Sequence, residues 1–98
     1  MVLQEQNNSL TCIIEESDIY LTEMMPIIKT MLDENIPTLI FDLINIKYID
    51  ATYFYVIYNY LYEKGNYITI DVINATQEIK NSIILLKESI PSFQINIK

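Results

Sequence analysis

The sequence predicts an α/β fold: a mixed sheet of four to five strands, in β-β-α-β-α-β-α-β order, with helices packed mainly on one face. Short β-branched or aromatic runs alternate with stretches whose apolar residues recur every three or four positions. Hydrophobic residues make up 51% of the 98, enough for one core, so residues 1–98 read as a single domain. Turn-forming and breaking residues, Asn7-Asn8-Ser9, Pro37, Gly65 and Pro91, fall between these stretches.

Leu10 to Ile14 is an apolar run closed by the polar cluster Glu15-Glu16-Ser17-Asp18, which reads as a strand and a turn. Val2-Leu3-Gln4 pairs with it across Asn7-Asn8-Ser9 as an edge strand. From Leu21, positions Met24, Ile27 or Ile28, Met31 and Leu32 trace one helical face. Pro26 restricts where that helix begins, because proline is tolerated in the first turn and not deeper, so the regular part should start near Thr22. Thr38 to Leu43 lacks alternation, which suits a central strand buried on both faces.

A second helix follows, with Phe54, Ile57 and Leu61 on its inner face, Asp50 or Thr52 as N-cap, and Gly65 as terminator. Tyr67 to Ile73 reads as a strand, and Asn74 with Gln77 resembles a capping box. Ile79, Ile83, Leu86 and Ile90 mark the buried face of the third helix, which Pro91 stops. Phe93 to Ile97 alternates like a last strand exposed on one side. Asp18, Asp50 to Tyr53, and Asn74 to Thr76 all follow strands, so they should gather at the carboxyl-end edge of the sheet.

Composition removes whole function classes. Six basic against thirteen acidic residues give a formal charge of −7, which repels a phosphate backbone and argues against nucleic acid as a partner. Without histidine there is no common general base and no nitrogen ligand for zinc, and one glycine cannot build a phosphate-cradling loop. No cofactor or metal is expected. The lone Cys12, set in Leu-Thr-Cys-Ile-Ile, reads as a small buried hydrophobe in a reducing cytoplasm. The N-terminus lacks a signal-peptide pattern, and no apolar run reaches the ~20 residues of a membrane span.

Three segments carry a resemblance to a known family. Glu15-Glu16-Ser17-Asp18 looks like a degenerate copy of a Gly-Glu-Leu-Asp-like turn. Phe41-Asp42-Leu43, Tyr48-Ile49-Asp50 and the helix after them reproduce the layout of a strand ending in Asp-Leu followed by Ile-Asp-Ser-Ser-Gly-Leu. Lys64-Gly65-Asn66-Tyr67-Ile68-Thr69-Ile70 resembles an Arg-Gly-x-x-Leu-x-Leu transition. In order and spacing these resemble the STAS domain, the family named for sulphate transporters and anti-sigma factor antagonists, over essentially the whole chain. The family's C-terminal helix has no counterpart before Lys98.

The resemblance implies a non-catalytic, stand-alone regulatory module that binds an anti-sigma factor or GHKL-type kinase through Asp18, Asp50, Ala51, Thr52 and Tyr53. Ala51 stands where the family carries its phosphorylatable serine, and Tyr53 replaces a glycine. Thr52, one position later, is either a displaced phosphosite or a capping residue. Asp50 either frames the docking site or caps the helix. The alternative within the resemblance is the STAS subunit of a phospholipid-transport ABC complex, which binds and stabilises the ATPase. Carboxylate hydrolysis by Asp42 or Asp50 is the enzyme reading, without a paired acid constellation to support it. Tyr55, Tyr58 and Tyr62 recur at helical spacing off the inner face, as a homodimer or partner surface or as a plain effect of a tyrosine-rich composition.

Overall fold

A computed structural model of the chain describes residues 2–16 and 24–98. Its elements are β1 (Val2–Gln6), β2 (Ser9–Ile13), α1 (Met25–Asp33), β3 (Thr38–Asp42), α2 (Thr52–Glu63), β4 (Thr69–Ile73), α3 (Gln77–Ser89) and β5 (Ile95–Ile97). The strands lie side by side in chain order, β1 antiparallel to β2 and each later neighbour parallel. Adding parallel strands in one direction through crossovers of one hand places every helix on the same side. The three helices accordingly share one face of the sheet. Two sequence expectations, Asp18 at the docking edge and a helix start near Thr22, lie outside the described residues.

Register explains where the core sits. Leu10, Leu39, Ile70 and Ile95 form one row across the sheet, and Cys12, Phe41, Val72 and Ile97 the next. All but Ile97 are fully or almost fully buried. The intervening positions Thr11, Ile13, Ile40 and Asp42 point to the other face and remain half-buried. This corrects the expectation for β3, which is central in the sheet but covered on one side only. Its unbroken apolar run concealed an ordinary alternation, because Ile40 sits on the open face.

Local chemistry fixes the ends. The β1–β2 hairpin closes through Asn7 and Asn8, both left-handed (φ 49° and 67°), the pair that a two-residue type I′ turn needs. Pro26 falls in the first turn of α1, where its missing N–H costs little. Ile27, Ile28 and Met31 face the core. On α2, Phe54, Ile57 and Leu61 are completely buried, each stabilising the fold by about 1.5–3 kcal/mol through burial.

Gly65 (φ 84°) ends α2 in a Schellman motif, with the Asn66 amide donating to the Leu61 carbonyl at 2.9 Å and the Gly65 amide to Tyr62 at 3.0 Å. For α3 the cap is Thr76, whose Oγ1 accepts from the Ile79 amide at 3.3 Å, and not the expected Asn74. Asn74 is left-handed (φ 58°) and turns its amide onto Asp42 instead.

The two edges of the sheet differ. At β5 the main chain of Lys98 bonds to Val72, so by alternation the Ile95 carbonyl faces outward. Lys87 from α3 donates its Nζ to that carbonyl at 3.0 Å. Residues of β1 have strand partners on the β2 side only.

Candidate functional site

The carboxyl ends of β2, β3 and β4 are stitched together by side chains that look like a polar site. Asp42 Oδ1 accepts from the Ile44 amide at 3.1 Å and from Asn74 Nδ2 at 2.9 Å, and Asn45 Nδ2 donates to Glu15 Oε1 at 2.9 Å. From there the chain runs to α2 with Ile46 and Ile49 buried and Ile44 and Tyr48 exposed. Thr76 Oγ1 donates to the Lys47 carbonyl at 2.9 Å, which ties this loop to the start of α3. Asp42 therefore works as a turn-organising acceptor. Among the described residues no group of three or more His, Cys, Asp or Glu is placed to hold a metal ion.

At the start of α2, Asp50 Oδ1 accepts from both the amide and the hydroxyl of Thr52, each at 2.9 Å. A carboxylate satisfying a free amide at a helix N-terminus is a cap in all but register, and it sits at the positive end of the helix dipole. Of the two capping candidates, Asp50 accepts the amide bond, while Thr52 is an exposed donor to it.

Ala51 and Tyr53 correct the sequence reading. Ala51 is 1% exposed, with its amide 3.4 Å from Ser82 Oγ of α3. Tyr53 is 5% exposed, its ring edge-on to Phe41 (6.1 Å, 74°) and Phe54 (5.7 Å, 84°). The reason is helical phase: position 53 precedes Ile57 by four residues and Leu61 by eight, so it shares their inward stripe. Tyr53 is a core residue beside the site and presents no ring to a partner.

The tyrosine stripe is also redistributed. Tyr58 is buried, its ring tilted against Phe93 (5.3 Å, 58°) and its hydroxyl donating to the Ser92 carbonyl at 3.1 Å. Tyr55 is half-buried, edge-on to Phe93 at 5.4 Å. Of the three, only Tyr62 reaches well into solvent, at 51%.

Between the Asp50 turn and α3 runs a cleft of about 570 Å³, lined by Tyr48, Asp50, Ala51, Glu78, Asn81, Ser82, Leu85, Leu86 and Ser89. Its character is apolar at Ala51, Leu85 and Leu86, and acidic at Asp50 and Glu78. Leu85 is 64% exposed and its neighbour Ile84 46%. The sequence reading joined Asp50 and Ala51 to this place but missed the α3 wall. A signal for it existed: Leu85 stands off the Ile79–Ile83–Leu86–Ile90 stripe, so a large apolar side chain had to face outward there.

Buried Cys12 stands apart from the cleft on β2, and burial pushes its thiol up to about 12. Among the described residues no helix is long and apolar enough to cross a membrane. Compared with protein-family profiles, with curated proteins and with solved structures, the chain matches none of them.

Proposed function

We propose that this chain is a non-catalytic, STAS-like interaction module that docks a regulatory protein, of the anti-sigma factor or GHKL-kinase type, across the cleft between the Asp50 turn and α3. The observation that carries the reading is the cleft itself, apolar with acidic residues beside it and with two large exposed apolar side chains, Tyr48 and Leu85, among its lining. Monomeric proteins seldom leave such side chains together at a surface without a use for them. The element order and the helix layer on one face agree with the general topology that the sequence predicts.

Asp50 serves as a cap and Asp42 as a turn acceptor, which suits a rigid docking surface better than proton transfer. Phosphate regulation at position 51 has no chemical basis, since alanine has no hydroxyl and this one is buried. Thr52 is exposed, yet its hydroxyl already donates to Asp50, and a phosphate there would place ~1.5 to 2 negative charges beside that carboxylate. The module is then constitutively competent to bind.

Affinity capture with the intact chain and with Leu85→Asp tests this. The expected outcome is one regulatory protein retained by the former and lost by the latter, with no phosphate incorporated at Thr52 on incubation with a co-purifying kinase and ATP. Recovery of an ABC ATPase in its place would move the assignment to the phospholipid-transport reading. Stoichiometric phosphate on Thr52 would sink the unregulated version.

A further inference from the structure

A ladder of aromatic rings leads from the core to the surface on the side of α2 away from the Asp50 turn. Phe93 is 1% exposed, Tyr58 8%, Tyr62 51% and Tyr67 73%. Each ring touches the next, at centroid distances of 5.3 Å, 6.0 Å and 4.9 Å. Beside the ladder lies a slot of about 200 Å³ lined by Tyr55, Tyr58, Asn59, Tyr62 and Ser92. The Tyr58 hydroxyl is committed to the Ser92 carbonyl, which fixes that ring as the floor. Asn59 Nδ2 is held only loosely, 3.4 Å from Glu63 Oε1, so a carboxylate stands next to the slot.

The lining selects a ligand by its hydrogen-bonding inventory. Tyr55, Asn59 and Tyr62 bring side-chain donors alongside broad ring faces. A matching ligand presents acceptors and flat apolar surfaces. It need bring few N–H groups of its own. A polyproline II segment has that inventory: its carbonyls carry no internal hydrogen bonds, its prolines have no N–H, and its rings lie flat on aromatic faces. Pre-organisation also spares it the ordering cost that a flexible peptide bears on binding.

We propose that this slot binds a proline-rich segment of a partner protein in the polyproline II conformation, with a basic residue flanking the prolines. Glu63 and the chain's −7 charge favour that flank. Lys64 does not oppose it directly, since its ammonium sits 5.5 Å over the Tyr60 ring on a neighbouring position of the helix. The slot is separate from the cleft beside the Asp50 turn and shares no lining residue with it. The two sites therefore stand or fall independently.

Titration of the intact chain with an acetylated, amidated Arg-Pro-Leu-Pro-Pro-Leu-Pro peptide, followed through tyrosine ring resonances in NMR, tests the assignment. Saturable binding should move the Tyr62 and Tyr67 rings and weaken about tenfold or more in Tyr62→Ala, whose exposed position leaves folding intact. Replacing the peptide's prolines by alanine should weaken binding comparably, and Glu63→Gln should lower affinity for the Arg peptide more than for its Ala-first counterpart. Tyr67→Ala is the second variant, read the same way. No saturation up to millimolar peptide, equal binding of the alanine peptide, or ring shifts confined to Tyr48 would overturn the proposal. So would self-association by sedimentation that Tyr62→Ala abolishes, because a second copy would then be the occupant.

Discussion

At Asp50 one carboxylate oxygen accepts from two donors of the same residue, the amide and the hydroxyl of Thr52. Losing that acceptor exposes an unsatisfied amide at a helix start, so Asp50→Ala should lower stability by ~1 kcal/mol in urea unfolding, and Asp50→Asn should restore most of it. Cys12 makes a pH-dependent prediction. Its thiol ionises near 9.0 when exposed and at about 12 in the fold, so the folded state keeps a proton the unfolded state releases. The stabilisation is fully present below pH 9 and is lost as pH rises from 9 toward 12, with a slope of up to ~1.4 kcal/mol per pH unit. The difference in stability between the parent chain and Cys12→Ala across pH 8 to 11 should show that slope, while the folded thiol resists alkylation at pH 8. Tyr53 shows where residue-level reading stops. In a helix carrying tyrosines at 53, 55, 58, 60 and 62, a ring at any one position gives no hint of which side faces the sheet. Phase had to come from Phe54, Ile57 and Leu61, and extending their stripe back by one turn captures Tyr53.

Elements were legible wherever period and punctuation agreed. The order of five strands and three helices follows from alternating patterns and from Asn7-Asn8, Pro37, Gly65 and Pro91, each of which marks a boundary through a specific backbone constraint. Ends were less legible. Asn74 and Thr76 both suit a cap, and the choice is made by Asp42, a residue 32 positions earlier that captures the Asn74 amide. The cleft lies wholly beyond local pattern, since it exists only where the turn before α2 comes beside α3, a helix from a different crossover. Gly65 is the position where the end of an element can be probed cleanly. A Cβ there would meet nothing within 4 Å, so the cost of Gly65→Ala comes from its positive φ alone. Thermal unfolding should register a loss of ~1 kcal/mol.

For the molecule as a whole, the governing fact is that one face of a largely parallel sheet carries all three helices, while no helix among the described residues covers the other. Parallel sheets are ordinarily covered on both sides, and this one tolerates exposure by placing Thr11, Thr38, Thr69 and Asn96 among its open-face residues. Asp71, on that face, is held by Asn96 Nδ2 at 3.0 Å and Lys98 Nζ at 3.1 Å. Adjacent residues of β3 should then respond unequally to change. Leu39→Ala should cost ~2–5 kcal/mol in chemical denaturation, and Ile40→Thr less than ~1.5 kcal/mol. Comparable losses at both positions would show that something covers the open face.

The lysine bond at the outer rim of β5 has a geometric consequence of its own. Strand-to-strand growth of copies into a fibre needs two receptive rims per subunit, one to give and one to receive. Here Lys87 occupies the outward Ile95 carbonyl of the β5 rim, which makes β1 the more receptive of the two. Pairing through the β1 rims alone would close on itself at two subunits, as two identical edges joined across a two-fold axis leave neither free to run further.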